Sequence, residues 1–192
     1  MSSLQRLCGI MAAGLFLVPM TGSSQEKKDK AAEAEPDGPG PVHKQMEPLA
    51  GSWDVEVKFI LDGKEHTGKA TCEAKWILKG RFLQQEYQSE FMGKPFTVLQ
   101  HLGYDNQKKK TIEIMMDNLS TGVLHNEGSI SEDGKVITNL GESLDHATGK
   151  PYKLRTVTTI VDHDHFTLEW FRAGDGGKEN RVVSMSHTRK KP

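Results

Sequence analysis

Between Leu49 and Gly63 the chain reads LAGSWDVEVKFILDG, and Trp53, Val55, Val57 and Phe59 alternate there with Asp54, Glu56 and Lys58. A period of two marks a half-buried antiparallel strand. The same alternation returns in Ala70/Cys72/Ala74/Trp76, Ile112/Ile114/Met116, Phe166/Leu168/Trp170 and Val183/Met185, each read as an apolar, inward face. Elsewhere it is interrupted: Gln85 falls between Leu83 and Tyr87, and Thr156 and Thr158 fall between Leu154 and Ile160. Polar side chains on an inward face need partners or water. These strands are therefore expected either to line a wet or ligand-holding space or to sit where both faces meet solvent.

Turn chemistry separates the alternating runs. It occurs at Asp62-Gly63, Lys79-Gly80, Gly93-Lys94-Pro95, Asp105-Asn106, Ser120-Thr121-Gly122, Asp133-Gly134, Thr148-Gly149, Asp162 to Asp164 and Asp175-Gly176-Gly177, about every 14 residues. Nine turns imply ten strands, and that spacing leaves no room for crossover helices. Only VHKQMEPLAG, ahead of the first strand, has the makings of a short helix. Ten long strands joined by short turns predict an all-β fold, an up-and-down meander closed into a barrel, since closure removes exposed edges. A barrel wider than eight strands tends to enclose space. In a closed meander the first and last strands meet, which brings Trp53 near Arg189, with Gly51 admitting a close neighbour beside the indole.

Composition then sets the boundaries. Residues 1–24 hold one arginine, Arg6, ahead of an apolar run from Leu7 to Met20 and then small residues, the pattern of a cleaved export signal. Cys8 precedes most of that run, so it is misplaced for lipidation. Export, to a periplasm or outside the cell, is the expectation. Residues 25–41, QEKKDKAAEAEPDGPGP, carry no large apolar side chain and are predicted to be a disordered tether. The domain proper spans residues 42–190. Without the signal, 24 Lys and Arg face 26 Asp and Glu, no footprint for nucleic acid. Cys72 becomes the sole cysteine, set among apolar alternating neighbours as a small buried hydrophobe.

The step Gly51-x-Trp53 after a short helical segment resembles the first-strand signature of the calycin superfamily, the lipocalins and fatty-acid-binding proteins. More specifically, KWILKGRFLQQEY (75–87), LGYDNQKKK (102–110), MDNLSTG (116–122), DHATGKPYKLR (145–155) and the closing HTRK (187–190), in this order, resemble the bacterial family known as domain of unknown function 1579. That resemblance implies a lipocalin-like barrel and no established activity or ligand. One departure is Met115, at a position where the resemblance leads one to expect tryptophan.

Chemistry-bearing motifs are sparse. No nucleophile elbow, phosphate loop or metalloprotease helix occurs. Of eight histidines, His163 and His165 lie in DHDH, which is read as a hairpin tip rather than a metal site. The predicted ligand-binding set is Trp76, Tyr87, Met116 and Trp170 as apolar wall, with His101, His125 and His187 as polar points; Gly51, Trp53 and Arg189 are assigned to barrel closure. No catalytic residue, metal or cofactor is assigned. The function expected is binding of a small apolar or amphipathic molecule. A filled-barrel scaffold, a haem binder and a cryptic enzyme are the alternatives.

Overall fold

A computed structural model describes residues 38–61, 63–145, 148–174 and 177–191. The proposed signal, residues 1–24, and most of the proposed tether lie outside the described residues. A short helix α1 (Pro41–Gln45) and a 3-10 turn (Glu47–Leu49) lead into ten strands. These are β1 (Gly51–Leu61), β2 (Lys64–Ile77), β3 (Phe82–Phe91), β4 (Lys94–Asp105), β5 (Lys110–Asp117), β6 (Leu124–Ile130), β7 (Val136–Leu144), β8 (Pro151–Ile160), β9 (His165–Ala173) and β10 (Glu179–Arg189). All nine connections fall at the turn signals. Each strand pairs antiparallel with its successor, and β1 pairs with β10 to close the barrel.

Odd-numbered strands therefore run toward one end and even-numbered strands away from it. The even end is plugged by the segment before β1. Gly38 O accepts from Asn106 Nδ2, Pro39 lies beside Gly80, Gln45 reaches Glu132 O, and Arg189 donates to Pro48 O and to His163 O. Four contacts thus anchor that segment to the four connections at this end. Residues 38–41, assigned to the tether by composition, belong to this plug: Gly38 offers its backbone carbonyl, and Pro39 lays its ring beside Gly80. Met46 and Leu49 enter the core beside Trp53, Leu83, Leu102, Ile137 and Phe166, all buried.

The β1–β10 seam answers why glycine precedes the first tryptophan. Trp53 opposes Arg189 in register, is fully buried, and donates from Nε1 to Leu49 O at 3.2 Å. The Arg189 guanidinium lies 4.1 Å over the indole and donates to Ala50 O at 2.8 Å. Gly51 sits at φ +129°, and any Cβ there would collide with that guanidinium.

One inward face is not the expected one. On β5 the residues facing in are Thr111, Glu113, Met115 and Asp117, so Ile112, Ile114 and Met116 form the outer wall. The register explains it, because β4 turns Gln100, Leu102 and Tyr104 inward and pairs them with Met115, Glu113 and Thr111. Hydrophobicity followed the outer face because the inner one carries a polar network. The alternations on β1, β2, β9 and β10 do mark inward faces.

Candidate functional site

Above the plug, the barrel interior changes character twice. The first change is a buried polar layer. Glu113 accepts from Gln100 Nε2 at 2.7 Å, from Thr156 Oγ1 at 2.7 Å and from Asn126 Nδ2 at 2.8 Å, while Thr111 donates to Asn139 at 2.6 Å. Three donors favour the charged carboxylate, yet burial outweighs them and raises the Glu113 pKa. Across the barrel, Tyr87 Oη lies 3.3 Å from His187 Nε2 and accepts from Gln85 at 3.4 Å. Burial pushes the Cys72 thiol beside it to about 12 and drops His187 to about 3. A thiol so held is no nucleophile at neutral pH.

The polar residues that interrupt β3 and β8 are not themselves cavity lining, although both strands line the cavity with other residues. Gln85 and Thr156 are buried in a hydrogen-bonded layer, which satisfies their polar groups with protein partners.

The second change is a cavity of about 430 Å³ between this layer and the odd end. Val57 and Phe59 of β1, Ala70 of β2, Tyr87 and Phe91 of β3, Phe96, Val98 and Gln100 of β4, and Met115 and Asp117 of β5 form one side. Leu168, Trp170 and Arg172 of β9 and Val183 and Met185 of β10 form the other, with Tyr152 of β8. The wall is mostly aromatic and aliphatic, and Tyr87 and Gln100 make its polar floor. Charged side chains gather toward the mouth. There Arg172 lies 4.1 Å over the Tyr152 ring and 2.8 Å from Asp145, whose pKa falls to about 2 chiefly through its bond to Arg172. Asp117 faces in while its Oδ1 accepts from the backbone of Leu119 and Ser120.

Of the predicted set, Tyr87 and Trp170 line this cavity. His187 faces in but lies beneath the floor, stacked on Phe166 at 3.7 Å and edge-on to Tyr87 and Trp53, with Nε2 directed at Tyr87 Oη rather than into the cavity. Trp76 faces in at the plugged end, 6.2 Å from His43. His101, Met116 and His125 belong to the outer wall, where Ile114 sits between His101 and His125 and Met116 opposes Leu99. Their assignment to the interior is corrected by the β4–β5–β6 register: their neighbours Gln100, Met115 and Asn126 take the inward positions. DHDH forms the β8–β9 turn, with Asp162 bonded to His165 and Asp164 to His163. No three metal-ligating side chains gather among the described residues. Sequence reasoning missed Val98, Met115, Asp117 and Arg172, although the Asp105 turn, by pairing Asp105 with Lys110, holds the register that places Met115.

The sequence profile of the family described as a protein of unknown function (DUF1579) matches residues 38–189. No curated protein matches the chain. Among solved structures, Rv2717c from M. tuberculosis is similar at a TM-score of 0.59 and 16% identity, covering 79% of this chain and 99% of that one. The S-type phycobiliprotein lyase CPES from Guillardia theta is similar at a TM-score of 0.53 and 10% identity, covering 79% and 93%. Identities this low speak for the shared barrel alone.

Proposed function

Since this chain belongs to the DUF1579 family, whose description names no activity, we propose from its own geometry that it is an exported binding protein for a small amphipathic molecule. The observation that carries this reading is the apolar-walled cavity of about 430 Å³, open at the odd end and floored by a hydrogen-bonded polar layer. Its volume lies within the range of ligand sites, roughly 300–1,000 Å³. An apolar tail lies against Phe96, Val98, Met115, Leu168 and Trp170, and a polar head stays at the mouth beside Arg172 and Asp117. Export is supported by Arg6 and the apolar run Leu7–Met20.

The barrel is not filled from end to end, which disfavours a purely structural role. Titration of residues 25–192 with a fluorescent long-chain fatty acid tests the reading. Saturable binding at about one per chain, with quenching of tryptophan emission, is expected. Absence of binding by fatty acids and by neutral aromatic probes alike would overturn it.

A further inference from the structure

The cavity's mouth is formed by five connections, and these are where the molecule exposes apolar side chains. Ile60 (44% exposed), Met92 (77%), Leu119 (54%), Val123 (62%) and Leu144 (59%) are five of the eight large exposed hydrophobics among the described residues. They lie in, or on the strand ends beside, four separate connections around one opening. At the plugged end only Leu78 and Val161 are comparably exposed, and the side wall contributes Leu140. Scattered single apolar residues need no explanation, whereas a ring of them continuous with an apolar cavity does.

The same rim repeats a second feature. Gly63-Lys64, Gly93-Lys94, Gly149-Lys150 and Gly177-Lys178 repeat one pattern, a glycine at positive φ followed by an exposed lysine that opens the next strand (Lys64, Lys94) or immediately precedes it (Lys150, Lys178). Two carboxylates nearby are already engaged, Asp145 by Arg172 at 2.8 Å and Glu179 by Arg155 at 2.6 Å. Glu65, Glu90 and Asp117 add negative charge at the same end, and Asp62 and Asp175 fall outside the described residues. Apolar tips interleaved with long cationic side chains are the composition of a surface that rests in the headgroup region: apolar groups enter the acyl boundary while lysines stay at the phosphates.

We propose that the open end docks on a lipid bilayer, anionic lipid strengthening the contact, so that an amphipathic ligand passes between membrane and cavity without crossing water. The proposal rests on the binding reading above. It names the source and destination of that ligand.

The test is flotation of residues 25–192, the form export leaves, with phosphatidylcholine vesicles and with vesicles carrying about one third phosphatidylglycerol. Binding to both, tighter to the anionic ones, is expected. Met92→Glu and Leu144→Glu should each weaken it on the order of ten-fold, and Lys94→Glu on the order of five-fold on anionic vesicles alone. Leu78→Glu, at the plugged end, should change nothing. A Met92→Trp probe should shift its emission to the blue and be quenched by brominated lipid. No vesicle binding, or equal losses from Leu78→Glu and Met92→Glu, would overturn the proposal. Fatty-acid titration in solution separates the two readings: if it is retained while vesicle binding is absent, only the docking fails.

Discussion

Trp53 and Trp170 face the same barrel interior from opposite ends and live in different company. Trp53 is fully buried, has Phe166 edge-on at 4.7 Å, and lies under the Arg189 guanidinium at 4.1 Å. Trp170 is half-buried on a cavity wall beside Arg172, with empty space on one side. The plugged end spends its aromatic residue on stability and the open end leaves its own available to a guest. One fold thus separates the two demands along the barrel axis, with the Glu113 layer as the partition.

The largest effect should come from emptying the plug. Trp53→Ala is expected to cost about 3 to 5 kcal/mol, through lost contacts and the cavity left behind. Trp170→Ala should cost well under half of that, because its surroundings are already open, while weakening the binding of an apolar probe. Urea denaturation of both variants checks the pair, and equal losses would erase the contrast between the ends.

Next in size is acid sensitivity. His187 has its pKa lowered from 6.5 to about 3 by burial, so the unfolded chain binds the extra proton. The stability it contributes is whole above pH 6.5 and is lost as pH falls toward 3, to a total of about 4 kcal/mol. Glu113 acts in the opposite sense. Its pKa is raised above 4.5, so stability present below 4.5 is lost as pH rises through its folded value. Above pH 4.5 the two act against each other, until Glu113 ionises in the folded state as well. Denaturation midpoints across pH should show both, with the acid limb flattened in His187→Gln and the loss on raising pH above 4.5 reduced in Glu113→Gln. A profile unchanged in both variants would remove the polar layer from the account.

A smaller effect is expected at the seam. Arg189→Lys keeps the charge but loses the planar fork that serves Ala50, Pro48 and His163 together. A loss of about 1 to 2 kcal/mol, well below that of Trp53→Ala, with probe binding retained, fits packing as the dominant contribution. Smallest of all, removing residues 25–37 should leave the melting temperature within about two degrees, as no large apolar side chain there repays its ordering. A large drop would extend the plug into that segment.

Most of the architecture was legible because turn chemistry is local: nine Gly, Asn, Asp and Ser signals marked nine connections. The β1–β10 seam was legible too, since closure forces the first and last strands together. Side-chain facing was legible only where polarity and burial agree. On β1 and β9 the apolar set faces in. On β5 the pattern is reversed, because Glu113 is held inside by Gln100, Asn126 and Thr156, contributed by β4, β6 and β8, and no local pattern carries that three-strand network. His101, Met116 and His125 were misplaced for the same reason. Arg172 was hidden differently: its role at the mouth depends on Tyr152 and Asp145, partners across the neighbouring hairpin.

The cavity itself is tested most directly by filling it. Met115 and Val183 face into the same space from β5 and β10, and tryptophan at both positions would occupy the volume assigned to a ligand. Fluorescent fatty-acid titration of the Met115→Trp, Val183→Trp double variant, beside its parent, should show affinity reduced at least about ten-fold, with the melting temperature changed by only a few degrees. Unchanged affinity in the folded variant would mean that the ligand binds elsewhere, and the open barrel would not be the binding site.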